Sequence, residues 1–327
     1  MSGPAAIQKR SHDRSVVMKV AVYGAGALGG YFGARLAAGG ADVTLIARGA
    51  QLAALRADGL RVRSPLGDLE LRLAAVADPS EVGPVDLVLF CVKSFDTEEA
   101  ASRLGPLLRP ETAVLSLQNG IDNEDRIEAV IGPGHVMGGT AFVFVALAAP
   151  GVIEHTGTTS RIVFGELDGR PSDRAERILD AFVAGGVNAE ITPDIRAQLW
   201  TKFSFICAVA GMTAAVRLPI GPIREDPVSW AMFRSILEEV TALARAEGVD
   251  LPPDLVDRQL ALTSGLAADS YSSLHHDLVN GRRMELEALH GTVVTRARAI
   301  GLAVPASEAT YAILRPWADR NRPTAGH

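Results

Sequence analysis

The residues in this chain with the types and spacing to do chemistry begin at Gly24-Ala25-Gly26-Ala27-Leu28-Gly29, a complete G-x-G-x-x-G. It follows an apolar run, Val20 to Tyr23, and leads into a helical pattern. In that context Gly24 allows a tight turn, Gly26 lets a pyrophosphate approach the backbone, and Gly29 lets helix and strand pack closely. The free N–H groups and positive dipole end of the helix then face the phosphates. A glycine-rich turn in some other parallel sheet is the competing reading. The second predicted strand, Ala41 to Ile46, ends in Ala47-Arg48, where an NAD site would carry Asp or Glu for the ribose 2′-hydroxyl. A guanidinium suits a 2′-phosphate instead, so the pattern favours NADP(H) over NAD, against an ordinary exposed loop arginine. Farther on, Lys202 stands near the start of a strongly apolar helix. A lysine there either snorkels at the helix end or supplies the proton and charge that an alkoxide needs when hydride reaches a carbonyl carbon. Glu285, expected on another helix, is a candidate to pair with Lys202 and hold it charged.

These residues must be positioned by a parallel sheet followed by a helical half. Asp86–Val92 and Ala113–Leu117 read as strands buried on both faces, with Lys93 and Gln118-Asn119-Gly120 at their carboxyl ends. Ligands of open α/β sheets bind outside those ends, so the glycine loop, Arg48, Lys93 and Asn119 are expected on one edge. A solvated lysine and an Asn-Gly turn are the alternatives for the last two. A small hairpin is expected at Leu60–Arg63 and Leu69–Leu73, β segments at Val136–Ala146 and Val152–Phe164, and a helix near Arg174–Ala184. Asp194 is the expected N-cap of the next helix. From about 195 the periodicity is helical, over 195–216, 227–247, 252–263, 268–300 and 305–318. The predicted fold is α/β, a Rossmann-type dinucleotide-binding domain (18–192) followed by a mostly α-helical substrate and catalytic domain (193–320), with flexible tails at 1–17 and 321–327.

The chain has 327 residues, 48% of them hydrophobic and 21% charged, enough for two cores. Its 32 basic and 38 acidic residues give a net charge of −6, and no basic run appears, so no nucleic-acid partner is expected. Anionic substrates must be held by local positive groups. Cys91 and Cys207 lie in separate apolar runs and read as reduced thiols of a cytoplasmic protein. The N-terminal stretch lacks the apolar core of a signal peptide. The apolar run Phe203–Val216, 14 residues between Lys202 and Arg217, is short for a bilayer span and suits a buried helix, so no membrane partner is expected. No His, Cys and acidic cluster has metal-ligand spacing, so no metal is expected. His276-Asp277 lacks a nucleophile elbow and is not read as part of a triad. The long apolar helices can bury against one another or form a homodimer.

The chain resembles the ketopantoate reductase (2-dehydropantoate 2-reductase) family. The resemblance rests on GAGALGG at 24–30, Lys93, Gln118-Asn119-Gly120, Pro150 to His155, Ile195 to Lys202, Ser272-Ser273, Glu285, and Arg296-Ala297-Arg298 with Gly301 to Pro305. It runs from Met18 to about Trp317. It implies a proton-donating Lys202, a Glu285 near the nicotinamide ribose and reacting hydroxyl, Asn119 and Lys93 near cofactor and substrate, a substrate-binding Ser273, and an Arg48 on the 2′-phosphate. The implied reaction is NADPH-dependent reduction of a 2-oxo acid to a 2-hydroxy acid, with 2-dehydropantoate to (R)-pantoate, on the route to pantothenate, as the type reaction. The chain departs from the pattern where the family carries substrate-contacting asparagines. Here those positions are Ile206, Ala210 and Ile220. Losing three polar contacts points to a bulkier or less polar carbonyl substrate. Arg217, His275, His276 and Arg282 are candidates for a substrate carboxylate, against ordinary surface roles. A non-catalytic NADP(H)-binding sensor is the rival of another class, which the retained Lys202 and Glu285 disfavour.

Overall fold

The computed structural model describes residues 17–321, so the expected tails lie outside the described residues except for Val17 and Asn321. The first half runs β1 (Lys19–Tyr23), α1 (Ala27–Ala38), β2 (Asp42–Ile46), α2 (Gly49–Asp58), β3 (Leu60–Arg63), β4 (Leu69–Leu71), β5 (Ala74–Val76), β6 (Leu87–Phe90), α3 (Thr97–Ser102), β7 (Ala113–Ser116), α4 (Asn123–Ile131), β8 (Val136–Ala149), β9 (Val152–Glu166), α5 (Asp173–Ala184) and β10 (Asn188–Ile191). All ten strands join one sheet in the order β4-β3-β9-β8-β7-β6-β1-β2-β5, with β10 also paired to β9. The pairs from β5 through β2, β1, β6 and β7 to β8 are parallel. The order reverses at β1, which has β2 on one side and β6 on the other, the switch point where such sheets bind ligands.

Strands buried on both faces explain the continuous apolar runs. Side chains alternate across the sheet. Val20 and Val22 of β1 and Leu87 and Leu89 of β6 enter one core with Tyr31, Phe32 and Phe182 from α1 and α5. Ala21, Tyr23, Val88 and Phe90 enter the other with Ala100, Ala101 and Ile127 from α3 and α4. Each such large apolar side chain taken fully from water contributes about 1.5–3 kcal/mol. The registers Tyr23↔Ile46, Tyr23↔Phe90 and Phe90↔Ser116 align the strand ends, so the segments that follow β1, β2, β6 and β7 share one edge.

The second half is helical: α6 (Ile195–Val216), α7 (Ile220–Glu225), α8 (Pro227–Ala246), α9 (Leu255–Ser264), α10 (Ser273–Val279), α11 (Thr292–Ala299) and α12 (Pro305–Arg320). The Asp194 carboxylate accepts from the Ala197 N–H at 3.0 Å and starts α6 as expected. α6 begins on the sheet, where Gly138 of β8 is needed because a Cβ there would lie 2.8 Å from Ile195. It then runs through the helical core with Phe203, Cys207, Ala208 and Met212 packed among Phe233, Leu237, Leu289 and Leu314. Its 22 residues are those expected from the periodicity over 195–216. By length and composition it passes as a membrane span, with mean hydropathy 1.5, and 61% of its apolar window is buried inside the protein.

The expected continuous helix over 268–300 is broken. α10 stops at Val279, Asn280 caps it, and Gly281 turns the chain with φ +61°. Residues 282–285 are irregular, and a π-helical turn, Glu287–Gly291, leads into α11. Helical spacing persisted through the break because Met284 and Leu286 of the irregular segment are buried in the same core.

Candidate active site

The glycine loop is built as its residue types demand. Gly24 has φ +94°, and a Cβ there would sit 2.7 Å from the backbone of Cys91 and Val92. A Cβ on Gly29 would lie 2.4 Å from the Gly24 carbonyl, whereas one on Gly26 meets nothing within 4 Å. Gly26 is the N-cap of α1, has no side-chain cap, and no acidic residue occupies the first turn. Ala27, Leu28 and Gly29 therefore offer helix N–H groups that the helix itself does not pair. This cradle fits the pyrophosphate of a dinucleotide. The Ala25 carbonyl accepts from Gln51 Nε2 at 2.8 Å, which ties the loop to α2.

Arg48 is the N-cap residue of α2, just past β2, with its side chain 80% exposed and paired to Asp96. An exposed pair of this kind contributes about 0–1 kcal/mol, so the guanidinium is available to a phosphate.

Lys93 and Glu285 form the join between the two halves. Glu285 Oε2 accepts from Lys93 Nζ at 2.8 Å, and Oε1 accepts from the Ser94 N–H at 2.9 Å and the Ser94 hydroxyl at 2.8 Å. Lys93 Nζ also donates to Asp277 of α10 at 3.1 Å, and Asp277 takes Arg282 at 3.1 Å. Burial alone would push the Glu285 carboxyl up. The Lys93 charge and the bonds from Lys93 and Ser94 outweigh it and hold Glu285 below its ordinary range. Burial likewise opposes the Lys93 ammonium, but Glu285 and Asp277 raise it. Glu285 thus pairs with Lys93, not with Lys202 as expected, and it sits in the irregular segment before the π-helical turn rather than on a helix.

Lys202 lies on the α6 face that carries Leu199, Phe203 and Ile206. These four line a narrow recess together with Gln118, Asn119, Gly120 and Thr140. Lys202 has no hydrogen bond or ion pair among the described residues. Burial pushes its ammonium down to about 8, against the pull of Glu124, Glu285 and Cys91. Cys91 links this recess to the cradle, because its Cβ lies 3.0 Å from where a Gly29 Cβ would be, and its thiol feels the Lys202 charge. Asn119 enters the recess from the end of β7, and its carbonyl accepts from Asn123 Nδ2 at 3.0 Å. Gln118 is anchored by donating to the Val92 carbonyl at 2.9 Å and the Thr97 hydroxyl at 2.8 Å.

The other substrate candidates divide. Ile206 is on the recess wall; Ala210, one turn farther along α6, is buried. Ile220 is fully buried in the helical core and Ser273 is exposed at the start of α10, so neither lines the recess. Ser272 instead caps α10 and bonds Thr213 of α6 at 2.8 Å. Arg217 stacks over Trp317, His275 stacks on Tyr271, and Arg282 pairs with Asp277, so these three are occupied within the protein. Cys91 is half-buried and Cys207 buried, both free thiols. Sequence reasoning missed Ser94 and Asp277. Ser94 had a signal in following Lys93 directly; Asp277 had none for its bond to Lys93, which comes from a distant element.

The family model described as ketopantoate reductase PanE/ApbA matches residues 20–169, and its C-terminal counterpart matches residues 194–318. The chain belongs to the ketopantoate reductase family. A 2-dehydropantoate 2-reductase of Halobacterium salinarum is 35% identical over 290 residues, covering 88% of this chain and 95% of the relative. An uncharacterized oxidoreductase, YkpB, of Bacillus subtilis is 31% identical over 302 residues, covering 92% and 99%. The crystal structure of a PanE/ApbA family ketopantoate reductase from Ralstonia eutropha superposes with TM-score 0.86 at 36% identity, covering 93% of this chain and 99% of that one. A D-mandelate dehydrogenase structure at 23% identity and TM-score 0.86 shares the fold. Ketopantoate reductase membership makes this protein an oxidoreductase of the CH–OH/C=O class, in a family that uses a nicotinamide dinucleotide.

Proposed function

We propose that this protein is an NADPH-dependent reductase of 2-oxo acids, with 2-dehydropantoate to (R)-pantoate as the type reaction. The observation that carries the reading is the unpartnered Lys202 ammonium on the wall of a recess shared with Asn119, beside the Cys91 backbone that closes the glycine cradle. Gly24 to Gly29 hold the pyrophosphate and Arg48 the 2′-phosphate. When bound, the reduced nicotinamide supplies a hydride to the carbonyl carbon. Lys202 donates the proton to the oxygen that becomes the hydroxyl, a task suited to an acid titrating near neutrality. Asn119 orients the substrate by hydrogen bonding. Glu285, locked by Lys93 and Ser94, places a fixed carboxylate at the edge of the site. In this reading residues 18–192 form the cofactor domain and 193–320 the substrate domain, in a cytoplasmic enzyme.

A second substrate reading follows from Ile206. With Leu199 and Phe203 it makes the α6 side of the recess apolar, which suits a 2-oxo acid with a larger or less polar side chain. The test is NADPH oxidation across a panel of 2-oxo acids. Ketopantoate as the clear best substrate supports the type reaction; a bulky apolar 2-oxo acid supports the second reading. Lys202→Ala should lower turnover by roughly 10²–10⁴ while NADPH still binds. Full turnover in that variant refutes the assignment of Lys202.

A further inference from the structure

The Arg48–Asp96 pair joins the two segments that flank the glycine loop, and the chemistry above leaves Asp96 unused. Arg48 follows β2 and Asp96 follows β6, the two neighbours of β1 in the sheet. Asp96 is the N-cap residue of α3, a position where an Asp ordinarily accepts from the N–H groups of its own helix. Its carboxylate makes no such bond and goes to Arg48 Nη2 instead. Asp78, just past the end of β5, does the opposite: it caps its own turn by accepting from the Ser80 N–H at 2.9 Å, and it takes Arg103 at 2.7 Å. Asp96 is also held in place. Its N–H donates to the Lys93 carbonyl at 2.8 Å, and Ser94 and Thr97 of the same turn are buried. The Ser94 carbonyl accepts from the Thr97 hydroxyl at 3.0 Å and from Arg126 at 2.8 Å. The Asp96 side chain is 18% exposed and that of Arg48 80%, so the acid is the better anchored member of the pair.

We propose that Asp96 sets the cofactor choice of this protein: held against the guanidinium that meets the 2′-substituent of the adenosine ribose, its carboxylate accepts from a 2′-hydroxyl and opposes a 2′-phosphate. The proposal rests on the reading of Arg48 as the 2′-phosphate contact and deepens it. In dinucleotide sites of this fold an acid at the end of the second strand binds the 2′-hydroxyl. Here that place holds Arg48, and the acid comes from the turn after β6. When Arg48 takes a 2′-phosphate, Asp96 is either displaced from the guanidinium or left beside a like charge, and both cost affinity. Neither cost arises with a 2′-hydroxyl, which instead gives the carboxylate a bond strengthened by its charge. Asp96 therefore narrows the preference for NADPH over NADH that Arg48 alone would give.

The test reads binding without catalysis. Titration calorimetry of the full-length protein gives Kd for NADPH and NADH, and for 2′,5′-ADP and 5′-AMP as probes that lack the nicotinamide. Asp96→Asn keeps the shape of the side chain and removes its charge. NADPH and 2′,5′-ADP should bind this variant about tenfold more tightly than the wild type, while NADH and 5′-AMP should bind no more tightly. The gain should shrink at high salt, because exposed charges are screened. Asp96→Ser also removes the charge and serves if the Asn variant does not fold. An unchanged ratio of NADPH to NADH Kd in a folded charge-free variant overturns the proposal, as does an equal change for both cofactors, which is what a merely structural role would give. Arg48→Ala separates the proposal from the reading beneath it. If 2′,5′-ADP binds Arg48→Ala as tightly as the wild type, the assignment of Arg48 fails, while the ratio in Asp96→Asn still decides the role of Asp96.

Discussion

Replacing Glu285 tests the join between the two halves. Its carboxylate is 10% exposed and takes three bonds, one from Lys93 and two from Ser94. Glu285→Gln keeps an oxygen for Ser94 and removes the ionic partner of Lys93. A bond to a charged group is worth about 1.5–3 kcal/mol when shielded. The Lys93 side chain is 45% exposed, and solvent screening brings the loss to about 1 kcal/mol. Glu285→Ala also strands the Ser94 N–H and hydroxyl, for a total of about 2–3 kcal/mol. Urea unfolding followed by tryptophan fluorescence measures both, since Trp200, Trp230 and Trp317 all lie in the helical half. The folded carboxyl titrates below its ordinary value of 4.5. Its stabilisation is therefore complete above that value and lost as the pH falls through the lower folded one. The gap between wild type and Glu285→Gln should be present at neutral pH and close on acidification below 4.5. No gap at neutral pH, or one that survives at low pH, refutes the account.

Other expectations follow from single features of the site. With Lys202 titrating at about 8, kcat/KM for NADPH-dependent reduction should fall as the pH rises through that value, because the ammonium is the active form; a profile flat through the alkaline range contradicts this. Arg48→Ala should raise KM for NADPH by about 10–100-fold, the worth of one charged contact to phosphate, and leave NADH nearly unchanged. Equal effects on both cofactors would remove Arg48 from the 2′-phosphate. Gly26→Ala should leave thermal stability unchanged, since its Cβ meets nothing within 4 Å, and weaken NADPH binding measured by titration calorimetry. Gly24→Ala, at φ +94° and against Cys91, should destabilise the fold by about 1–3 kcal/mol.

Much of the architecture was legible because it rests on local rules. The glycine loop, the doubly buried strands, the hairpin of β3 and β4 and the Asp194 cap each depend on neighbours within a few residues. The break after Val279 was missed because buried Met284 and Leu286 carry the helical pattern through an irregular segment. The pairing of Glu285 was misjudged for a different reason. Either lysine is a sound partner by charge, and Glu285 is separated from Lys93 by 192 positions.

The order of residues alone determined which groups stand at the carboxyl ends of the strands, because alternation and apolar runs leave a parallel sheet few ways to form. It also determined that a lysine would stand at the head of the apolar run Phe203–Val216, which the structure places two turns into α6. Only the tertiary structure decided which ionised groups meet. The packing of α6 on β8 and of the segment before the π-helical turn on Ser94 gives Glu285 to Lys93 and leaves Lys202 facing the recess. Coulomb attraction depends on distance and burial, and chain order specifies neither for residues brought together from opposite halves.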